Sequence, residues 1–288
     1  MFRNKLRPVL ATTVLIVTVV VFMYYLRHHP EALRQLGKIP LPILGLLLGL
    51  YGVFLVTLIW IQRATLLLCE VTLGRKESML LVMYSSIINF FGPLQSGPAF
   101  RAAYLKRKHD VKLKKYAVAT LFYYAFFAAF SGLFLLTYFI GLWALGGIVL
   151  AVSFVPFVLR HDHLLPSRFQ LLKLEHVGTL AAATLAQVST VAVIFYVELG
   201  SFGQHISTVP ALIYTGAANF ALFVSLTPGA IGFRESFLLF SQHLHHISSS
   251  QIVTASLIDR GVYVLFLGIL ILVTASLHTK QYLTHTKE

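Results

Sequence analysis

Five charged residues of this 288-residue chain stand inside apolar stretches: Arg101, Arg234, Glu235, Asp259 and Arg260. Arginine keeps its charge at any depth, and its planar fork matches the oxygens of a phosphate. Neighbours in a helix point about 100° apart, so Asp259 is a poor partner for Arg260, and Glu235 for Arg234. The cross pairs, Arg234 with Asp259 and Glu235 with Arg260, are the better geometry. Two acids then face three arginines, and one positive charge is left for an anionic ligand. The run Thr227-Pro228-Gly229-Ala230-Ile231-Gly232 precedes Arg234 and would offer backbone N–H groups at a helix N-terminus, where anions settle. Asn89 and Thr227 are read as further polar groups toward that ligand. Together these residue types support the binding of a phosphate-headed ion in an apolar place. The alternative is that the charges pair internally and hold the chain together, with Arg101 snorkelling to an interface.

The elements that must position these residues are membrane helices. The chain is 57% hydrophobic and only 11% charged, with a mean hydropathy of +0.80; a soluble domain carries about 25% charged residues. Its ten acids leave little for enzymes that work with clustered carboxylates. The single cysteine, Cys69, excludes an intramolecular disulfide framework and any multi-cysteine zinc site. A net charge of +13 points to cytoplasmic loops against anionic lipid, not to nucleic acid. Apolar runs over residues 8–26, 40–61, 116–140, 142–159, 177–197 and 251–277 predict six spans. Each is long enough to cross roughly 30 Å of hydrocarbon at about 1.5 Å per residue. Arg3, Lys5 and Arg7 precede the first run, and no cleavage site follows it, so it is expected as a retained helix. The hydrophilic connection at residues 160–176 is too short for a soluble domain, which makes residues 1–288 one integral membrane domain.

Two further apolar segments are interrupted. Residues 79–105 carry Gly92-Pro93 and Gly97-Pro98 and end near Arg101; residues 209–246 carry Pro228-Gly229 and Gly232, then Arg234-Glu235. Proline removes a backbone donor and clashes with the preceding turn, so such clusters break helices. Broken backbone survives at membrane depth only where protein or a wet cavity satisfies it. Two re-entrant hairpins from opposite faces, shaped by Pro93, Gly97, Pro228, Gly229 and Gly232, are therefore expected. With both termini cytoplasmic, the cytoplasmic pieces 1–7, 62–78, 101–115, 160–176 and 278–288 hold 18 of the 23 Lys and Arg residues. The external pieces 27–39 and 198–208 hold three. A full crossing by residues 79–105 would place the seven basic residues of 101–115 outside, against the positive-inside bias. The order Asn89-Phe90, Pro93, Gly97, Phe100-Arg101 returns as Asn219-Phe220, Pro228, Gly232, Phe233-Arg234, which fits an inverted repeat.

Other features carry less. The basic run from Lys106 to Lys115 reads as a topology-setting loop that also meets anionic headgroups. His243, His245 and His246 have no acid or cysteine nearby in sequence, so neither a metal nor any other cofactor is expected. The aromatic stretch from Phe122 to Phe127 reads as helix packing. No phosphate-binding loop, dinucleotide fingerprint or nucleophile elbow is present.

The stretch from Thr227 to Glu235 resembles the Pro-Gly-Gly-x-Gly-x-Arg-Glu signature of the lysylphosphatidylglycerol synthase transmembrane (flippase-like) family, with Ala230 where a glycine is usual. Arg260 with Tyr263 is similar to that family's arginine and aromatics in the last span. Asn89, Pro93, Gly97 and Arg101 match its earlier motif in part, Leu94, Gln95 and Pro98 replacing Gly, Arg and Glu. The resemblance implies an integral inner-membrane protein that moves, or helps move, a lipid between leaflets: aminoacyl-phosphatidylglycerol, another phospholipid or a polyprenyl-phosphate-linked sugar. Synthase activity is not carried over, because no stretch remains for a soluble transferase domain. The expectation is an all-α polytopic lipid transporter, not an enzyme, in which Arg101, Arg234 and Arg260 attract the lipid phosphate while Glu235 and Asp259 hold the arginines and exchange a proton. The alternatives are a non-transporting partner of a lipid-modifying enzyme, or an integral-membrane transferase using a lipid-phosphate donor.

Overall fold

The computed structural model describes residues 39–91, 96–147, 174–201, 206–224 and 233–285, together with Arg27. Among them the chain forms nine α-helices and no strand. In order these are α1 (Leu41–Leu68), α2 (Arg75–Phe91), α3 (Ser96–His109), α4 (Leu113–Ile140), α5 (Leu174–Gly200), α6 (Thr208–Val224), α7 (Phe233–Phe240), α8 (Gln242–His245) and α9 (Ser249–His285). Four stretches are long and apolar enough to cross a membrane: α1, α4 with the turn after it, α5, and α9 as far as Leu277. Leu41, Leu121, Phe139 and Trp143 point outward, which only a lipid solvent tolerates on this scale. The chain is an all-α polytopic membrane protein. The expected spans at 8–26 and, beyond residue 147, at 142–159 lie outside the described residues, as do Pro93, Thr227, Pro228, Gly229 and Gly232.

Helices α1 and α5 form the spine and run antiparallel. Tyr51 and Leu47, early in α1, share a core with Ile194 late in α5. Ile61, Ala64 and Leu66, late in α1, share another with Val177, Leu180 and Ala183 early in α5. A break was expected between residues 140 and 142, and the chain turns there through a short 3-10 helix. Gly141 adopts φ +59°, a left-handed conformation that favours glycine. Gly147 then comes back against the Leu133 side chain, so the chain reverses direction.

Both interrupted segments fold as helical hairpins. Helices α2 and α3 lie so close that a Cβ on Gly97 would stand 2.7 Å from the Ser85 carbonyl oxygen. The Gly97 amide donates to Asn89 Oδ1 at 3.2 Å, and Ser96 Oγ donates to the Ile88 carbonyl at 3.0 Å, closing the turn. At the other end Glu77, in the first turn of α2, meets Lys108 at 2.7 Å and His109 at 2.8 Å, both at the end of α3. Glu70, just past α1, meets Lys115 at the start of α4 at 2.6 Å. The chain therefore leaves α1 and enters α4 at the same end, and the hairpin between them returns to where it began.

The second hairpin, α6 with α7 and α8, opens at the opposite end. Leu199 of α5, Tyr214 of α6, Ile247 and Ile252 of α9 share one core there. The His245 ring packs edge-on to Tyr214 with centroids 5.6 Å apart. Its Nδ1 accepts the Ile247 amide at 3.2 Å, which makes Nε2 the donor to the Leu238 carbonyl at 3.1 Å. His245 is thus a buried cap on the turn from α7 into α9.

Two polar residues that the sequence reading placed in connections lie inside helices. Helix α1 continues past residue 61 to Leu68, and Gln62, expected in a cytoplasmic connection, is buried. Glu198, expected in an external connection, lies inside α5 and is 0% exposed. A hydropathy boundary falls at the first polar residue, whereas a helix continues wherever the polar side chain is taken up by the protein.

Candidate functional site

The two hairpins meet over a cavity of about 280 Å³ between the spans. Arg101, Arg234, Asp259, Arg260 and Asn89 all line it, residues drawn from α2, α3, α7 and α9. The repeated asparagine is there as well: Asn219 of α6 lines the same cavity and donates to Ser131 Oγ of α4 at 3.1 Å. A close approach of α6 to α4 permits this, since a Cβ on Gly216 would fall 2.8 Å from the Ser131 carbonyl oxygen. The Asn and Arg of each hairpin thus reach one site from opposite ends.

Both expected cross pairs are present. Arg234 Nη2 stands 2.5 Å from Asp259 Oδ2, and Arg260 Nη2 and Nε lie 2.6 and 3.2 Å from Glu235 Oε1. Helical neighbours point about 100° apart, and the closer partners of Arg234 and Glu235 stand on α9, whereas Arg234 Nε and Glu235 Oε1 are 4.0 Å apart. Asp259 uses its second oxygen to accept from the Tyr51 hydroxyl of α1. The Arg234 guanidinium also lies over the Phe195 ring, 5.6 Å from its centroid. These contacts tie the return helix of the second hairpin to α1, α5 and α9.

Arg101 differs. Its Nη1 donates to the neutral Gln62 Oε1 at 2.9 Å; its Nε, like that of Arg234, is buried with no hydrogen-bond partner among the described residues. Among the described residues no carboxylate stands within ion-pair distance of it. The charge left over by three arginines and two acids therefore falls on the first hairpin, not on the second. The sequence reading gives all three arginines, Arg101, Arg234 and Arg260, to the ligand.

The rest of the wall is aromatic and uncharged polar. Tyr51 packs on Tyr263 with centroids 5.2 Å apart, and Phe90 meets Tyr263 at 5.4 Å. Tyr123 of α4 donates to Gln187 Oε1 of α5 at 3.1 Å. Glu235 stands behind Arg260 and does not line the cavity, and Gly97 serves the hairpin's closeness and not the ligand. Sequence reasoning missed Tyr51, Gln62, Gln187 and Glu198. Tyr51 and Gln187 had no signal beyond being polar in an apolar run. Gln62 and Glu198 did have one, standing immediately after an apolar stretch, and were read as its boundary.

Among the described residues no group of three or more His, Cys, Asp and Glu is gathered as a metal site would require. What the cavity presents is one cation on a neutral amide, the ion pair of Arg234 with Asp259, the arginine of a second pair, two asparagines and aromatic faces. That set is suited to an anionic head with an apolar attachment.

No match was found among curated proteins or among solved structures. The family model described as lysylphosphatidylglycerol synthase TM region matches residues 9–271. With its membrane helices, its two opposed hairpins and a match over nearly its whole length, the chain belongs to the lysylphosphatidylglycerol synthase TM region family.

Proposed function

We propose that the protein moves a phosphate-headed lipid between leaflets of the cell (inner) membrane, with both termini cytoplasmic. The observation that carries this reading is Arg101: a cation without a carboxylate partner among the described residues, facing a cavity where two oppositely opening hairpins meet. The fork of Arg101 takes the lipid phosphate, and Asn89 and Asn219 offer hydrogen bonds to the head. The pairs of Arg234 with Asp259 and Arg260 with Glu235 hold the second hairpin against α9. Discontinuous helices meeting between spans are how transporters build a site at the midplane, and each hairpin then serves as a gate on its own side. The protein acts by binding and rearrangement, without making or breaking covalent bonds.

The test is exchange of fluorescent lipids in liposomes containing the purified chain. The panel comprises phosphatidylglycerol, its lysyl ester and a short polyprenyl-phosphate sugar. Accelerated exchange of one of them, lost in Arg101→Gln, supports transport and names the head. Covalent product from the polyprenyl-phosphate sugar would replace the reading with a transferase. No exchange of any lipid by folded protein would leave a partner of a lipid-modifying enzyme.

A further inference from the structure

Helix α5 turns a stripe toward the site: Gln187, Val191 and Ile194 line the cavity, and Glu198 follows at the same helical spacing, one turn beyond Ile194. Glu198 is 0% exposed, and neither carboxylate oxygen has a hydrogen-bond partner among the described residues. It is no stray loop acid, since it sits where the second hairpin is anchored. Phe195, three residues earlier on the same face, carries the Arg234 guanidinium. Asp259 of α9 and Arg234 of α7 are near enough for their charges to act on Glu198. Tyr51 of α1 and Tyr214 of α6 are near enough to feel a charge on Glu198, and the Tyr51 hydroxyl is given to Asp259. Helix α4 approaches α5 at Tyr123, whose partner Gln187 is about three turns away.

A carboxylate shut away with no donor costs far more than its neutral acid, which is why such groups keep a proton or find a cation. The cation whose charge acts on Glu198, Arg234, stands 2.5 Å from Asp259. Among the described residues the acids and histidines do not gather in the number a metal ion would need. A proton needs one oxygen only.

We propose that Glu198 is a proton-binding site coupled to the anion cavity through Arg234. In the conformation of this structure Glu198 is the neutral acid and Arg234 belongs to Asp259. On release, the O–H bond breaks, its electron pair stays on the carboxylate oxygen, and the proton passes to water. Glu198 is then a second carboxylate competing for Arg234, which lies over Phe195 one turn away. Moving that guanidinium from α9 to α5 loosens α7, the return helix of the second hairpin, from the span that carries Asp259 and Arg260. Proton exchange at Glu198 thereby sets whether this gate is held. The proton site stands on the geometry above; its use to drive lipid movement rests on the transport reading.

Two measurements on the full chain separate these. The first is infrared difference spectroscopy of the protein in lipid, between acidic and alkaline buffers. The carbonyl stretch of a buried neutral carboxyl is expected in the wild type, absent in Glu198→Gln and kept in Glu235→Gln. An unchanged band in Glu198→Gln overturns the proposal. Should that variant not fold, Glu198→Asp must shift the band, and an unshifted band overturns it equally. The second measurement sets a pH difference across liposomes containing the exchanging lipid. With one proton moved per lipid, each pH unit changes the steady-state leaflet ratio by about tenfold, and Glu198→Gln, fixed in the neutral form that holds the gate, loses that response and exchanges more slowly. Exchange by the wild type that ignores the gradient overturns the coupling. If the wild type exchanges no lipid at all, the transport reading fails, and the infrared band alone decides whether Glu198 binds the proton.

Discussion

Arg101 of the first hairpin donates to Gln62 of the first described span at 2.9 Å, so a cation inside the membrane domain rests on a neutral amide. The other two arginines of the cavity, Arg234 and Arg260, each meet a carboxylate. This asymmetry separates the group that receives a ligand from the groups that hold the frame.

Replacing Arg101 with Gln removes a charge-assisted bond worth about 1.5–3 kcal/mol, or roughly 10- to 100-fold in affinity for a lipid phosphate. Arg101→Lys keeps the charge but loses the fork, and an intermediate affinity is expected. Equilibrium binding and leaflet exchange, with thermal unfolding as the control for the fold, check this. Wild-type affinity in Arg101→Gln would remove Arg101 from the site.

The pair of Arg260 with Glu235 should behave in the opposite way. Glu235→Gln leaves Arg260 facing a neutral amide in a buried position, and one-sided loss of a buried pair costs about 3–5 kcal/mol. The expected result is a lowered unfolding midpoint, whatever lipid is present. A cycle with Arg260→Met should recover part of the loss in the double variant, because no unpaired charge is then left inside. Additive effects in the double variant would mean that the two side chains do not act as a pair.

Gly97 has no room for a side chain: Ser85 O, Asn89 Cβ and Ser85 Oγ would stand 2.7, 2.8 and 2.9 Å from a Cβ there. Two of these are backbone or stem atoms that cannot swing aside. Gly97→Ala should therefore splay α2 from α3 and cost about 1–3 kcal/mol, the usual range for overpacking. Gly49→Ala, with nothing within 4 Å of its Cβ, is the matched control and should unfold like the wild type or slightly later.

Acid should loosen the first hairpin at its open end. Burial of the Glu77 carboxyl acts to raise its pKa, but hydrogen bonds from Lys108, Tyr104 and His109 outweigh that and bring it from 4.5 down to about 2. A group whose folded value is lowered stabilises the fold at pH above its ordinary value, and the contribution is lost as pH falls through the folded value. Thermal unfolding measured from about pH 5 down to about pH 2 should show this loss. Glu77→Gln should be less stable at neutral pH and flatter over that window. An equal slope in wild type and variant would show that the clasp contributes nothing.

Much of the frame is legible from composition and pattern because lipid imposes strict rules. Helices α1, α4, α5 and α9 follow from apolar runs, the hairpins from Pro and Gly clusters, and the return of the first hairpin from the charges on residues 101–115. The ion pairs are legible for a local reason: neighbours on one helix point about 100° apart, so Arg234-Glu235 and Asp259-Arg260 find their better partners on each other.

What required the tertiary structure is the choice among equivalent groups. By itself, the chain's order of residues determines a membrane protein with three arginines inside apolar stretches and too few expected acids to answer them. It does not determine which arginine is left over, because that depends on how far α1 continues and how it is rotated. One residue past the expected end of its run, α1 brings Gln62 to Arg101, 39 positions away. Tyr51 reaches Asp259 across 208 positions, and Glu198 comes to lie one turn from the ring that carries Arg234. A hydropathy window averages over a helix and has no register or azimuth. Partnership between buried polar groups is settled by both, and only packed helices supply them.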